Sequence, residues 1–261
     1  PSTVIAVDSI DIHFLRHSRK VFSDSGRNGT TGELDQAYGN EMMREINAYA
    51  AADAVLTVSE KEAQLVNDFV GKQIAYAIPD MEDSSPSPVP FEQRRGMLFV
   101  GNFRHPPNVQ AVEYLCDDIL PKLPPELLQE HPLYIVGNDP PESLQRRCGA
   151  TPGVRLVGWV PSVIPYIEQA RVSLIPLLYG AGTKRKLMQS LMVGTPSVST
   201  GIGVEGLGFM HDAHVLVADD PALFADCTRH ALADKELWHR LAKQGRDFVV
   251  AVHGREAVYE R

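Results

Sequence analysis

The chain has 261 residues, 44% of them apolar and 22% charged, with a net charge of −8. That is enough for one large packed domain or two small ones. The acidic balance argues against a general nucleic-acid binder, which carries a basic face. Three cysteines, Cys116, Cys148 and Cys227, are odd in number and form no Cys-x-x-Cys pair. Free structural thiols in a reducing, cytoplasmic setting are the simplest reading. No apolar run approaches a membrane span, and the strongest, Val172 to Leu178, reads as a buried strand. The chain starts at Pro1 without a methionine and shows no signal peptide, so it reads as a processed or excised piece.

Strand-like and helix-like segments alternate along the chain, the pattern of a parallel α/β architecture. A strand is expected at Thr3–Val7, then a polar, glycine-rich loop at Ser23–Gly32, then a helix from about Asn40 to Ala51. Ala54–Val58 reads as a strand. Ser59 opens the next helix, with Glu62 three residues on completing a capping box. Ile74–Ile78 is a further short strand. Residues 1–78 hold too few strands to cover both faces of a parallel sheet. They read as an incomplete α/β domain, its beginning missing or supplied by another chain. The proline- and serine-rich stretch that follows cannot form a regular element, and 79–95 reads as a linker.

A fuller α/β series occupies 96–261. Strands are expected at Met97–Val100, Leu133–Val136, Val154–Val157, Val172–Leu178, Ser197–Thr200 and His214–Val217. Helices are expected at about Asn108–Cys116 and Val163–Ala170, after Lys184, from Pro221 and from about Lys235. Trp159 should pack under the crevice at the strand ends, and Trp238 in a helix core.

Ligands of open α/β sheets sit at the carboxyl ends of the strands. Three segments converge there: Gly101–Asn108, Tyr179–Lys186 and Thr200–Gly206. In the second, the small residues Gly180, Ala181 and Gly182, with Thr183, precede a helix. Small residues admit close backbone approach, and a helix N-terminus offers N–H groups and partial positive charge. Lys184, Arg185 and Lys186 stand in the first turn, where each cation is unfavourable by roughly 0.3–1 kcal/mol. Either an anion binds there or the turn is merely solvated. Lys184 shares the helix face of Leu187 and Met188 and should point inward, while Lys186 and Gln189 share a neighbouring face. Gly101, with Asn102 and Arg104 beside it, either admits a phosphate or makes a tight turn. His105 reads as structural, and Asn108 as a helix cap or a ligand contact. Glu205 either accepts hydrogen bonds from sugar hydroxyls or caps the next element. Asp11, His13 and Arg16, after the first strand, are either reactive groups or loop hydrogen-bonders. No His/Cys cluster has metal-ligand spacing, and neither a Walker loop nor a G-x-S-x-G elbow occurs.

Five segments together resemble the C-terminal domain of bacterial glycosyltransferase family 4 enzymes of the GT-B fold. They are Phe99–Asn108, Gly158–Pro161, Pro176–Lys186, Gly194–Pro196 and Thr200–Leu207. Asp8–Arg16 and Asp53–Ser59 resemble the close of that family's N-terminal domain. The resemblance implies a Rossmann-like donor domain and a retaining, metal-independent transfer from a nucleotide sugar to a glycan or lipid-linked acceptor. It implies no cofactor beyond the donor, and a cell-envelope or exopolysaccharide product. His13, Lys184 and Lys186 would be catalytic, the lysines and Arg104 stabilising the leaving diphosphate. Gly101, Asn102, Arg104, Gly180, Ala181, Gly182, Thr183, Gln189 and Glu205 would bind the donor. A missing N-terminal part would hold the acceptor and any contact with the inner face of the membrane. Many family members carry two glutamates where this chain has Ala181 and Gln189, so the first carboxylate is lost and the second is an amide. A non-catalytic nucleotide- or glycan-binding module of the same fold is therefore the competing expectation. A sugar-nucleotide epimerase of that fold is a third.

Overall fold

The computed structural model describes residues 3–18, 36–83, 85–180 and 182–260. The expected glycine-rich loop at Ser23–Gly32 and the expected donor residue Ala181 lie outside them. The described chain divides into two compact units. The first comprises 1–80 with the later segments 179–183 and 205–207, and the second comprises 81–178, 184–204 and 208–261.

The first unit is built on three parallel strands in the order β1-β2-β3, with β1 at Ala6–Ser9, β2 at Ala54–Thr57 and β3 at Ala75–Ala77. Strand β1 starts three residues later than expected because its partner sets the register, Ala6 facing Ala54 and Ser9 facing Thr57. Upstream, Val4 and Ile5 are exposed, and the Ile5 amide donates to the Asp53 carboxylate at 2.8 Å. Helix α1, Gln36–Ala50, and helix α2, Glu60–Val70, cover the sheet. The core gathers Ile12, Phe14, Tyr49, Val55, Val66 and Ala75. Helix α2 begins as its sequence dictates, with Ser59 Oγ accepting from the Glu62 amide. Only half of the expected capping box forms, because the Glu62 carboxylate turns elsewhere.

The second unit carries six parallel strands in the order β6-β5-β4-β7-β8-β9. These are β4 Met97–Val100, β5 Leu133–Val136, β6 Val154–Gly158, β7 Val172–Ile175, β8 Ser197–Ser199 and β9 Leu216–Val217. The succession β4, β5, β6 runs one way and β7, β8, β9 the other, so the chain reverses direction across the sheet between β4 and β7. Every residue of β7 is buried, as a central parallel strand requires. The helices are α3 Pro106–Tyr114, α4 Pro125–Glu130, α5 Glu142–Ala150, α6 Ile164–Gln169, α7 Arg185–Val193, α8 Gly201–Val204, α9 Pro221–Ala233, α10 Lys235–His253 and α11 Arg255–Tyr259.

Two sequence expectations change here. Helix α3 opens at Pro106, two residues early, because its first two positions are prolines, whose lost N–H groups have no intrahelical partner there. Asn108 is therefore inside the helix and not its cap. The third glycine-rich segment is not a plain loop, since Gly201–Val204 is a helical turn.

The proline-rich stretch has no regular element, yet it is tied down. The Glu82 amide donates to the His253 carbonyl at 2.9 Å, and the Ser87 amide to Val193 at 2.9 Å. Arg94 is 2% exposed, donates to Thr195 Oγ1 at 2.6 Å and lies 5.0 Å from the Trp238 ring. Burial lowers its pKa to about 10. Trp238 is buried, as expected, its indole N–H donating to the Arg171 carbonyl at 2.7 Å.

Candidate functional site

The reversal of direction between β4 and β7 is the place where an open α/β sheet leaves a crevice at its carboxyl edge. The chain leaving β4 enters α3, and the chain leaving β7 leads on to α7. The side chains of these two excursions meet. Lys186 Nζ of α7 donates to Asn108 Oδ1 of α3 at 2.5 Å, and it lies 4.4 Å from the centre of the Phe99 ring on β4. Lys186 is half-buried. Desolvation first, and then the like charge of Lys184, push its pKa down to about 7. Lys184 is 6% exposed, the inward placement expected from helix phase. Lys186, its pKa lowered and its ammonium held by a neutral amide oxygen, is a cation whose charge an anion would satisfy.

Two helices start at this edge, and they differ in sign. At α8 the Gly201 amide donates to Asp219 Oδ1 at 2.7 Å, so the chain supplies its own anion. At α7 the cap position is Lys184, whose side chain makes no capping hydrogen bond. Of the three cations in this turn, Arg185 is neutralised within the unit by buried Glu82, with Nε to Oε1 at 2.8 Å. Gln189, expected to bind the donor, donates to Glu82 Oε2 at 3.4 Å. Within the described residues, no carboxylate forms an ion pair with Lys186.

The other residues singled out after β4 play local parts. Asn102 accepts the Arg104 amide at 3.0 Å through its side chain and the Asn108 side-chain amide at 2.7 Å through its carbonyl. A Cβ on Gly101 would lie 2.9 Å from Asn108 Cγ, so this glycine makes room for the side chain that holds Lys186. Arg104 is largely exposed and pairs with Asp139 at 2.7 Å.

Within the first unit, Gly182 and Thr183 are held by polar groups. Gly182 has φ +67, and a Cβ there would stand 2.8 Å from the Ile10 carbonyl oxygen, so only glycine fits. Its amide donates to Glu62 Oε1 at 3.1 Å, and Thr183 Oγ1 bonds Asp80. Gly180 has φ +146 with open space where a Cβ would go. Glu205 is ion-paired with Lys61. His13 is exposed and lines a cavity of about 760 Å³ together with Asp8, Asp11, Glu41 and Arg44. Its amide, like that of Phe14, donates to the Glu45 carboxylate at 3.0 Å. Tyr49 also donates to Glu45, at 2.8 Å, and burial raises its pKa. Arg16 pairs with Asp11.

Asn108, Phe99, Glu82 and Asp219 went unassigned or undecided in the sequence, and Glu62 was read only as the partner in a capping box. Asn108 carried a signal, a polar side chain just after the strand-end glycine, but its partner lies 78 positions away. Trp159 reverses its expectation. It is 72% exposed, because Gly158 at φ +84 turns the chain out at the end of edge strand β6.

The six-stranded parallel sheet, with its polar crevice at the point of reversal, defines a Rossmann-like domain of the GT-B kind. Residues 94–234 match the model of the family described as glycosyl transferases group 1, more than half of the chain, and the chain belongs to that family. An uncharacterised 44.6 kDa protein in the cps region of Klebsiella pneumoniae is 31% identical over 142 residues, 49% of this chain. The chain spans about a third of the length of that relative, 35%. The structure of HepE from Anabaena with UDP and glucose matches with a TM-score of 0.75 at 12% identity, over 99% of this chain and 70% of that one. The structure of a TarM mutant of S. aureus with fondaparinux, α-GlcNAc-glycerol and UDP matches with a TM-score of 0.73 at 10% identity, over 91% and 52%. Among the described residues, no helix is long and apolar enough to cross a membrane.

Proposed function

We propose that the chain is the donor-holding part, with a portion of the acceptor-side domain, of a retaining glycosyltransferase. It moves a sugar from a nucleoside diphosphate sugar to a glycan or lipid-linked acceptor, without a metal, at the cytoplasmic face of the cell envelope. The observation that carries the reading is Lys186, held between Asn108 and Phe99 at the sheet's point of reversal with Lys184 beside it. A leaving diphosphate needs such fixed positive charge, and cations set in place before the reaction stabilise it without reorganisation. The family supports sugar transfer, and the UDP bound in HepE and TarM supports a uridine donor. The cps-region relative supports a polysaccharide product. Arg104 is given no direct part, because it is exposed and engaged with Asp139.

Gln189 favours a second reading. It is committed to Glu82, and Ala181 offers no carboxylate, so a nucleotide-binding module without turnover fits the same crevice. Titrating the full-length protein with UDP, and assaying UDP-glucose and UDP-N-acetylglucosamine for hydrolysis or transfer, separates the two. Binding with turnover supports the enzyme, binding without turnover supports the module, and no binding of uridine, guanosine or thymidine diphosphates overturns both.

A further inference from the structure

One turn of the first unit touches both glycine-rich segments that the sequence singles out. Ser59, Lys61 and Glu62 stand at the start of α2. The Glu62 carboxylate accepts the Gly182 amide at 3.1 Å, and Lys61 is ion-paired with Glu205. A Cβ on Gly206 would come within 3.3 Å of Ser59 Oγ. All of these residues belong to the same compact unit. Glu62 is 6% exposed, and it gives up the reciprocal half of its own capping box to make this contact. An acid at the third position of a helix is ordinarily used within the helix, so its commitment to an amide 120 positions away is a specific piece of construction.

We propose that Glu62 is a positioning residue for sugar transfer, fixing the chain at Gly182 through that residue's amide. This rests on the glycosyltransferase reading above. The chain has alanine at 181, so the segment 180–183 carries no carboxylate of its own, and the buried carboxylate at Gly182 comes from α2. A glycine-containing segment is loose by nature. The hydrogen bond that the Gly182 amide donates to the buried Glu62 side chain holds the chain at that residue. The proposed task is geometric: what matters is the Glu62 oxygen that accepts the Gly182 amide.

The test uses the full-length protein and its Glu62→Ala and Glu62→Gln variants. UDP-glucose and UDP-N-acetylglucosamine turnover, UDP affinity, thermal midpoint and amide exchange of a peptide spanning 179–183 are measured. Glu62→Ala should lower kcat at least tenfold, with UDP affinity and thermal midpoint little changed, and should speed exchange of that peptide but not of one spanning 97–100. Glu62→Gln, which retains an acceptor oxygen, should recover most of the loss. An unchanged kcat and unchanged exchange in Glu62→Ala overturn the proposal. So does a parallel loss of kcat, UDP affinity and thermal midpoint, which marks a merely structural acid. A Glu62→Gln variant as impaired as Glu62→Ala also overturns it, because charge and not position would then be at work. If the unaltered protein turns over neither sugar, the glycosyltransferase reading fails for these donors, and the exchange data still decide whether Glu62 holds the chain at Gly182.

Discussion

Helices α7 and α8 start at the same edge of the same sheet, and the chain treats them in opposite ways. A helix N-terminus favours negative charge whatever its surroundings. At α8 the requirement is met internally, by Asp219 on the Gly201 amide. At α7 the chain places Lys184, Arg185 and Lys186; Arg185 is answered by the Glu82 carboxylate, and among the described residues no carboxylate forms an ion pair with Lys186. A structural helix start is capped by its own chain. One that is loaded with cations and set at a crevice fits an anion from outside.

The largest effect expected from this contrast is at Lys186. Lys186→Ala should weaken UDP binding at least tenfold at pH 7, since a charged hydrogen bond contributes about 1.5–3 kcal/mol. Lys184→Ala should act in the same direction by about tenfold. Isothermal titration reads both, and unchanged affinities would return α7 to the status of a solvated basic turn. A smaller effect is expected from pH. The Lys186 pKa is lowered to about 7 by desolvation and by Lys184. Above pH 7 the free site loses its proton, while a bound diphosphate favours the charged form. UDP affinity should therefore fall as pH rises, by about fivefold from pH 7 to 8 if Lys186 stays protonated in the complex.

At α8 the outcome should reverse. Asp219→Ala removes a helix-capping carboxylate and should reduce stability by about 1 kcal/mol, or about 2–4 °C in Tm, with UDP affinity within threefold. A large loss of affinity with intact stability would mean that α8, too, serves the ligand. The smallest effect is expected at Arg104. Its pair with Asp139 is exposed, so Arg104→Ala should leave Tm and UDP affinity nearly unchanged in the same two assays.

The parts of this contrast were unequally legible in the sequence. Strands β4 to β6 read correctly because short apolar runs closed by glycine leave few alternatives, while β7 stops at Ile175, before Pro176, three residues short of the expected run. Lys184 is buried as expected, but as the cap residue before the helix and not on a helix face, so helix phase was not the reason. The contact of Lys186 with Asn108 was not legible, because it depends on β4 and β7 becoming neighbours. Glu82 was hidden for a related reason. It lies in a proline-rich stretch that reads as linker, and only its hydrogen bond to the His253 carbonyl brings it beside α7. Trp159 misled because a large aromatic is usually buried, whereas the strand before it is an edge strand ending in a positive-φ glycine. In the first unit, the Ser59 cap was visible locally, but the destination of the Glu62 carboxylate was not. Local chemistry was legible, and the choice of distant partner was left to the topology.

The most direct test of the central claim is proton uptake on UDP binding, measured by calorimetry at pH 8 in two buffers of different ionisation enthalpy. If Lys186 is the cation that receives the diphosphate, the unaltered protein takes up close to one proton per UDP, and Lys186→Ala takes up none. Equal uptake by the two proteins, or none by either, would contradict the account.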